Sequence, residues 1–385
     1  MIQLKDICDI YDCPHTTAKD EGKGYPLVRT PNVGKGRLIL NGIHRVSEEV
    51  YNSRNARAIP EEGDLILARE APVGNVSIIM PGQHVCLGQR VVLIKPRKTL
   101  VDPHYLTYYL LSAEVQHRLK NHANGAVVAH LNVSDIRNLL VTLPKLDEQV
   151  AIGKILRSID DKIELNRQIN DNLEQQAQAA FNNIIANTTS DTTVQLAEIA
   201  WLNPKRSISK GTIARSIEMA HLPTTGSFPS GWEMKEYNGG MKFQNGDTLM
   251  ARITPCLENG KVAFINFLED DEIAFGSTEY ITMTPKRQFA PEVLYFLVRN
   301  AEFIDFAVKN MNGSSGRQRV SADTIGTYEL PDITLEELNM LETIAREALT
   351  KIKYNSLENM RLAEMRDTLL PKLMSGELKI NETDC

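Results

Sequence analysis

The sequence predicts an α+β chain: two similar globular domains separated by two long antiparallel helices that pair as a coiled coil, related by an internal pseudo-twofold duplication. Three observations predict this. A heptad stripe interrupted by asparagines occurs twice, and short strand-and-turn motifs recur between the two stripes at nearly the same offset. The composition, 42% hydrophobic and 24% charged over 385 residues, is that of a folded chain with room for two or three cores.

The first globular domain is expected over 1–143. Its signals are the strand GDLILAR (63–69), the turn and strand CLGQRVVLIKP (86–96), the helix DPHYLTYYLL (102–111) with Pro103 in its first turn, and a closing LLVTLP (139–144). A helical segment follows over 144–190. Steps of four and three run through Ile152, Leu156, Ile159, Ile163, Asn166, Asn170, Leu173, Ala177, Ala180 and Ile184. A buried Asn in such a seam costs stability but fixes register, because a slipped pairing leaves its amide unsatisfied. The junction ANTTSDTTVQLAEIA (186–200) is rich in Thr, Ser and Asp and ends the helix.

The second globular domain, 191–331, repeats the motifs: GDTLMAR (246–252), AFGSTEYITMTP (274–285), APEVLYFLVR (290–299) with Pro291 in its first turn, and TYELP (327–331). A second helical segment with a C-terminal tail completes the chain over 332–385. Its Ile352, Asn355, Asn359 and Leu362 each lie 189 residues after Ile163, Asn166, Asn170 and Leu173. Duplicated halves pack about a pseudo-twofold axis as identical subunits do, which makes the two helices antiparallel and lets the two Asn pairs satisfy each other. About forty helical residues give a rod of roughly 60 Å.

Charge and cysteine usage narrow the function classes. The net charge of −6 excludes a uniformly basic nucleic-acid coat protein, yet the first domain is +3 while the following segments are −2, −3 and −4. DNA binding would therefore rest on local patches and a more basic partner. LEDDE (268–272) reads as a solvated turn or a partner-facing surface. Five scattered cysteines make no disulfide framework, and Cys8, Cys13 and His15 lack a second half with ligand spacing, so no metal is expected. With no leader pattern and no bilayer-length apolar run, a cytoplasmic location without membrane contact is expected.

Two similar but non-identical heads on a stiff spacer suit a split, asymmetric target, since modules on one face of DNA sit about one turn, 34–36 Å, apart. The candidate DNA-binding residues are Arg29, Lys35, Arg37, Arg69, Gln89 and Arg90 in the first head, and Arg252, Lys261, Arg317 and Arg319 in the second. For each of them an ordinary surface role is the alternative. No catalytic residue is assigned. Asn203-Pro204-Lys205 fails the adenine-methylation motif at its third position, and PNVGKGR (31–37) lacks the spacing of a phosphate loop.

LPKLDEQVAIGKILRSIDDKIELNRQINDNLEQQAQAAF (143–181), RDTLLPKLMSGEL (366–378) and NGSSGRQRVS (312–321) together resemble the specificity subunits of type I restriction-modification systems, over essentially the full chain. The resemblance implies two target-recognition domains, each followed by a helical spacer. It implies a non-catalytic, double-stranded-DNA-binding subunit that recruits two methyltransferase subunits to a bipartite target, one block per head, and in the full complex restriction subunits too. S-adenosylmethionine, ATP and Mg would then sit on the partners, the assembly acting as an adenine-N6 methyltransferase and ATP-dependent endonuclease. It also makes Leu146, Glu148, Gln149, Leu370, Pro371 and Leu373 candidate partner-binding residues. Two alternatives stay open: a specificity subunit of a related bifunctional restriction-methylation system, and a structural scaffold whose heads bind peptides.

Overall fold

A computed structural model describes residues 1–122, 130–286, 289–314 and 316–380. The final five residues of the expected C-terminal segment, including Cys385, and Ser315 of the NGSSGRQRVS stretch lie outside the described residues.

Each head opens and closes on one small ladder. Ile2–Gln3 pairs antiparallel with Leu140–Val141, and Thr193–Gln195 with Glu329–Pro331. The first head's main sheet has the order Cys8–Asp12, Val91–Pro96, Leu65–Ala68, Val76–Ile78, Gly36–Arg37. The second follows the same order without the last strand: Ala200–Leu202, Tyr280–Pro285, Thr248–Ala251, Val262–Phe264. Register repeats as well, with Leu65 opposite Ile94 and Thr248 opposite Met283. A smaller sheet in each head contains a parallel pair, Tyr25–Val28 with Cys86–Leu87 and Ile213–Ile217 with Ala274–Gly276.

The central strands read as unbroken apolar runs because both of their faces are covered. Leu65 and Leu67 enter the core shared with the helices, while Ile66 and Ala68 enter the core beneath the smaller sheet. Met250 and the pair Leu249 and Ala251 divide in the same way. The turn leading into each strand needs a positive φ, +87° at Gly63 and +88° at Gly246, which explains the glycine in both GD motifs. The following aspartate closes the turn: Asp64 accepts from the Glu61 N–H and Asp247 from the Gln244 N–H, each at 2.8 Å.

Pro103–Leu111 and Pro291–Arg299 form the helices that each proline announced. The long helices run Leu146–Asn187 and Leu335–Ser375. The expected seam is buried at Ile152, Leu156, Ile159, Ile163, Asn166, Ala177 and Ile184, and at Ile352 and Asn355 in the second helix, where Leu341, Ala345 and Ala348, 189 residues after Ile152, Leu156 and Ile159, are buried too. At the C-terminal end of the first helix Phe181, not Ala180, takes the seam position, because the ring fills a site in the second head's core that a methyl would leave empty.

Packing divides the chain into Met1–Lys162 with Leu362–Cys385, and Ile163–Arg361. The expected boundaries at 143/144, 190/191 and 331/332 separate heads from helices, whereas the compact units cut through the helices. Each long helix contributes one part to each core: Ile152, Leu156 and Leu373 to the first unit's, Ala177, Phe181, Leu341 and Ala345 to the second's.

Candidate nucleic-acid interface

Both heads carry a charged corner immediately past the central strand. In the first, Arg69 follows Ala68, and its backbone carbonyl accepts from Leu131 N–H at 3.0 Å. Its side chain is only 7% exposed. Nε donates to the Leu131 carbonyl at 2.8 Å, Nη1 to Asp12 Oδ1 at 2.9 Å and Nη2 to His130 Nε2 at 2.7 Å. Because His130 Nε2 accepts, its proton sits on Nδ1, which donates to Glu70 Oε1 at 2.7 Å. Glu70 Oε2 in turn meets Arg90 Nη1 at 2.9 Å, and the Arg90 side chain is 62% exposed.

The second corner keeps the frame and changes the chemistry. Arg252 follows Ala251, and its carbonyl accepts from Val320 N–H at 3.0 Å, as Arg69 does from Leu131. Glu279 stands 189 residues after Arg90, and Arg319 stands 189 after His130. Arg319 donates Nε and Nη2 to Glu279 at 2.7–3.0 Å, and this pairing holds the Glu279 carboxyl below its ordinary pKa. Arg252 Nε lies 3.9 Å from the same carboxylate, with its side chain 29% exposed. The Arg317 side chain is exposed beside them.

The structure ties several candidate contacts into their own domain. Arg69 is buried, with three of its nitrogens bound inside the head. Arg37 is tied to Asp161 of the first long helix. Lys261 donates Nζ to the Met219 carbonyl at 2.6 Å, and Gln89 donates Nε2 to the His15 carbonyl at 2.8 Å. Each is bound where its own domain supplies a nearer acceptor. Arg29 is half-buried, with Nε enclosed at the Arg29–Asn32 turn. Lys35, Arg90 and Arg317 are the exposed candidates, and Arg252 and Arg319 are half-exposed. LEDDE forms a turn in which Glu269 N–H donates to Glu272 at 2.9 Å and Glu272 faces Arg215 Nε at 3.3 Å.

Reasoning from residue type passed over His130, Glu70, Asp12 and Glu279, since none is a conventional base reader. Their signal is the 189-residue offset itself, which aligns Arg90 with Glu279 and His130 with Arg319. Trp201 was passed over too. It is 59% exposed, and Lys286 Nζ stands 4.3 Å from its ring centroid.

The asparagines of the seam meet in pairs. Asn166 Nδ2 donates to Asn359 Oδ1 at 2.9 Å, and Asn355 Nδ2 donates to Asn170 Oδ1 at 2.8 Å. A twofold axis exchanging residues 189 apart maps one of these bonds onto the other. Asn166 Nδ2 also reaches Glu358 Oε2 at 2.7 Å, and Asn170 reaches Ser356 Oγ at 3.3 Å. Ile163 and Ile352 are buried beside them, and Leu173 and Leu362 are half-buried.

Two of the candidate partner-binding residues are internal. Gln149 is buried, donating to the Pro144 carbonyl at 2.9 Å and accepting from Asp102 N–H at 3.1 Å. Leu373 lies in the first unit's apolar core with Leu156 and Ile152. Both face the head because the helix must bury that side against it. Leu146, Glu148 and Leu370 are half-buried and Pro371 is exposed. Among the described residues no cluster of His, Cys, Asp and Glu is arranged to hold a metal ion, and no helix is long and apolar enough to cross a membrane.

The chain is a duplicated α+β protein whose two heads share one frame and differ in their charged corners, with asparagines pairing in the seam of its long helices. The family model described as the type I restriction modification DNA specificity domain matches residues 1–175. The MjaIX specificity subunit of Methanocaldococcus jannaschii is 23% identical over 418 residues, covering 99% of this chain and 93% of that protein. The MjaX specificity subunit of the same organism is 28% identical over 169 residues, and the match spans 44% of this chain but only 37% of that protein. The crystal structure of the type I restriction-modification S subunit from M. genitalium shares the fold, with a TM-score of 0.58 at 14% identity over 97% of this chain and 95% of that one. The chain is thus similar to the specificity subunits of type I restriction-modification systems, by family model over its first 175 residues and by weaker identity over its full length.

Proposed function

We propose that this chain is the non-catalytic DNA-recognition subunit of a type I restriction-modification complex. Each head reads one block of a bipartite double-stranded target, and the paired helices hold the blocks at a set spacing. The observation that carries this reading is the repeated corner with different chemistry. Arg90 in one head and Glu279 in the other occupy corresponding positions, but Glu279 is held by Arg319, so one corner presents Arg90 and the other Arg252, Arg317 and Arg319. Arginine contacts guanine edges or phosphates, and its different placement in the two corners supports different readout. Two heads built this way read different blocks.

The partners in this reading are two methyltransferase subunits and, in the full complex, restriction subunits, which carry S-adenosylmethionine, ATP and Mg in the cytoplasm. Leu146, Glu148, Leu370 and Pro371 remain as docking candidates. The test is single-molecule sequencing of adenine methylation in a methylation-free host, with the cognate methyltransferase expressed alone and together with this chain. A split motif with one spacer length, seen only when both are present, is the expected result. Methyl transfer by the chain alone, or a motif that does not depend on it, overturns the reading.

A further inference from the structure

The second head is fastened to the first long helix by a polar stripe with a helical period of four. Tyr295 donates its hydroxyl to Glu174 Oε1 at 2.6 Å, Gln178 Nε2 donates to the Phe296 carbonyl at 3.1 Å, and Asn300 Nδ2 donates to Asn182 Oδ1 at 3.1 Å. Gln178 also donates to Asn182 at 2.9 Å, so the stripe is linked along its length. Glu174 is buried and lies 3.8 Å from Arg299 Nε. Arg299 is itself bound to the Gly260 and Thr224 carbonyls at 2.7 and 3.2 Å. The stripe therefore continues into the loops of the head.

The same helix carries a different stripe against the first head. Gln149 binds Asp102 N–H, and Gly153 permits an approach in which a Cβ would stand 2.6 Å from Asp102 Oδ1. Further along, Arg157 Nη1 reaches His104 at 2.8 Å and Asp160 accepts from the Tyr108 hydroxyl at 2.7 Å. The apolar contacts that accompany the second stripe, Ala177, Phe181 and Ile184, are non-directional and would tolerate a slide or rotation of the helix. Hydrogen bonds would not, since they weaken steeply with angle, and one residue of slip turns a helix by about 100° and shifts it about 1.5 Å.

We propose that Glu174, Gln178 and Asn182, with Tyr295 and Asn300, are positioning residues that fix the phase of the second head on the first helix and so restrict the complex to one spacer length. This rests on the bipartite-recognition reading. The experiment compares methylomes of a methylation-free host carrying the cognate methyltransferase with the wild-type chain, with Tyr295→Phe/Gln178→Ala, or with Glu174→Gln. The double variant is expected to methylate the same two blocks but to raise the ratio of sites one base pair longer or shorter to native-length sites about tenfold, equivalent to about 1.4 kcal/mol of lost phase preference. Glu174→Gln keeps an acceptor for Tyr295 and should retain the single spacer. If the double variant is insoluble, Tyr295→Phe alone, which removes one oxygen, carries the comparison. A variant that methylates only native-length sites, or that changes the identity of either block, overturns the proposal. If the wild-type chain itself yields no split motif, the recognition reading fails and takes this one with it.

Discussion

Arg69→Ala separates a brace from a base reader. The wild-type guanidinium binds Asp12, His130 and the Leu131 carbonyl at 2.7–2.9 Å while almost fully enclosed. Truncation strips Asp12 Oδ1 and the Leu131 carbonyl of the donors Arg69 supplies, and breaking a buried charged pair costs about 3–5 kcal/mol. Asp12 is 24% exposed and partly regains water, so a loss near the lower end, about 3 kcal/mol, is expected. The assay exploits an asymmetry of the sequence, since both tryptophans, Trp201 and Trp232, belong to the second unit. In urea, far-UV circular dichroism should show a transition shifted to lower denaturant for the first unit, while tryptophan fluorescence should report a second-unit transition close to wild type. An unchanged unfolding curve combined with weakened recognition of one DNA block would refute the brace and restore Arg69 as a reader.

The remaining expectations concern the helices and their contacts. Asn166→Leu should cost about 1–3 kcal/mol by stranding Asn359, and the double change Asn166→Leu/Asn359→Leu should recover most of that loss, as a urea double-mutant cycle would show; additive costs would mean the amides are not coupled. Burial raises the Glu174 pKa above its ordinary 4.5, against the opposing effects of the Tyr295 hydrogen bond and Arg299. Its contribution to stability is therefore full below about pH 4.5 and is lost as pH rises through the raised value, so the stability of wild type relative to Glu174→Gln should fall as pH rises above about 4.5 in tryptophan-monitored melts. A difference that grows with pH would reverse the sign assigned here. Leu373→Ala should destabilise the first unit by about 2–5 kcal/mol, whereas a pure docking residue would leave its unfolding unchanged and weaken methyltransferase co-purification.

How far each feature could be read from the residues depends on whether it is local. The two GD turns, the prolines opening both head helices and the asparagine-broken stripes are periodic or short-range, and they locate their elements to within a few residues. Periodicity alone separates Ala180 from Phe181 poorly because adjacent helical residues differ by only about 100°, and the second head's core favours the larger ring of Phe181. The candidate interface was the least legible part. Arg69 and Arg252 end equivalent strands, yet Arg69 is enclosed by Asp12 and His130, which lie 57 and 61 residues away, and no local pattern announces them.

The sequence by itself determined the duplication, the mixed strand-and-helix heads, the antiparallel helix pair and the resemblance to specificity subunits, because repeats and periodicity survive in one dimension. Only the tertiary structure decided which arginines are spent inside the heads, that Gln149 and Leu373 face a core, and that the long helices are divided between two packed units. Those outcomes depend on which acceptors and apolar atoms arrive from distant parts of the chain, and a side chain's availability to DNA is what remains after its own fold has been satisfied.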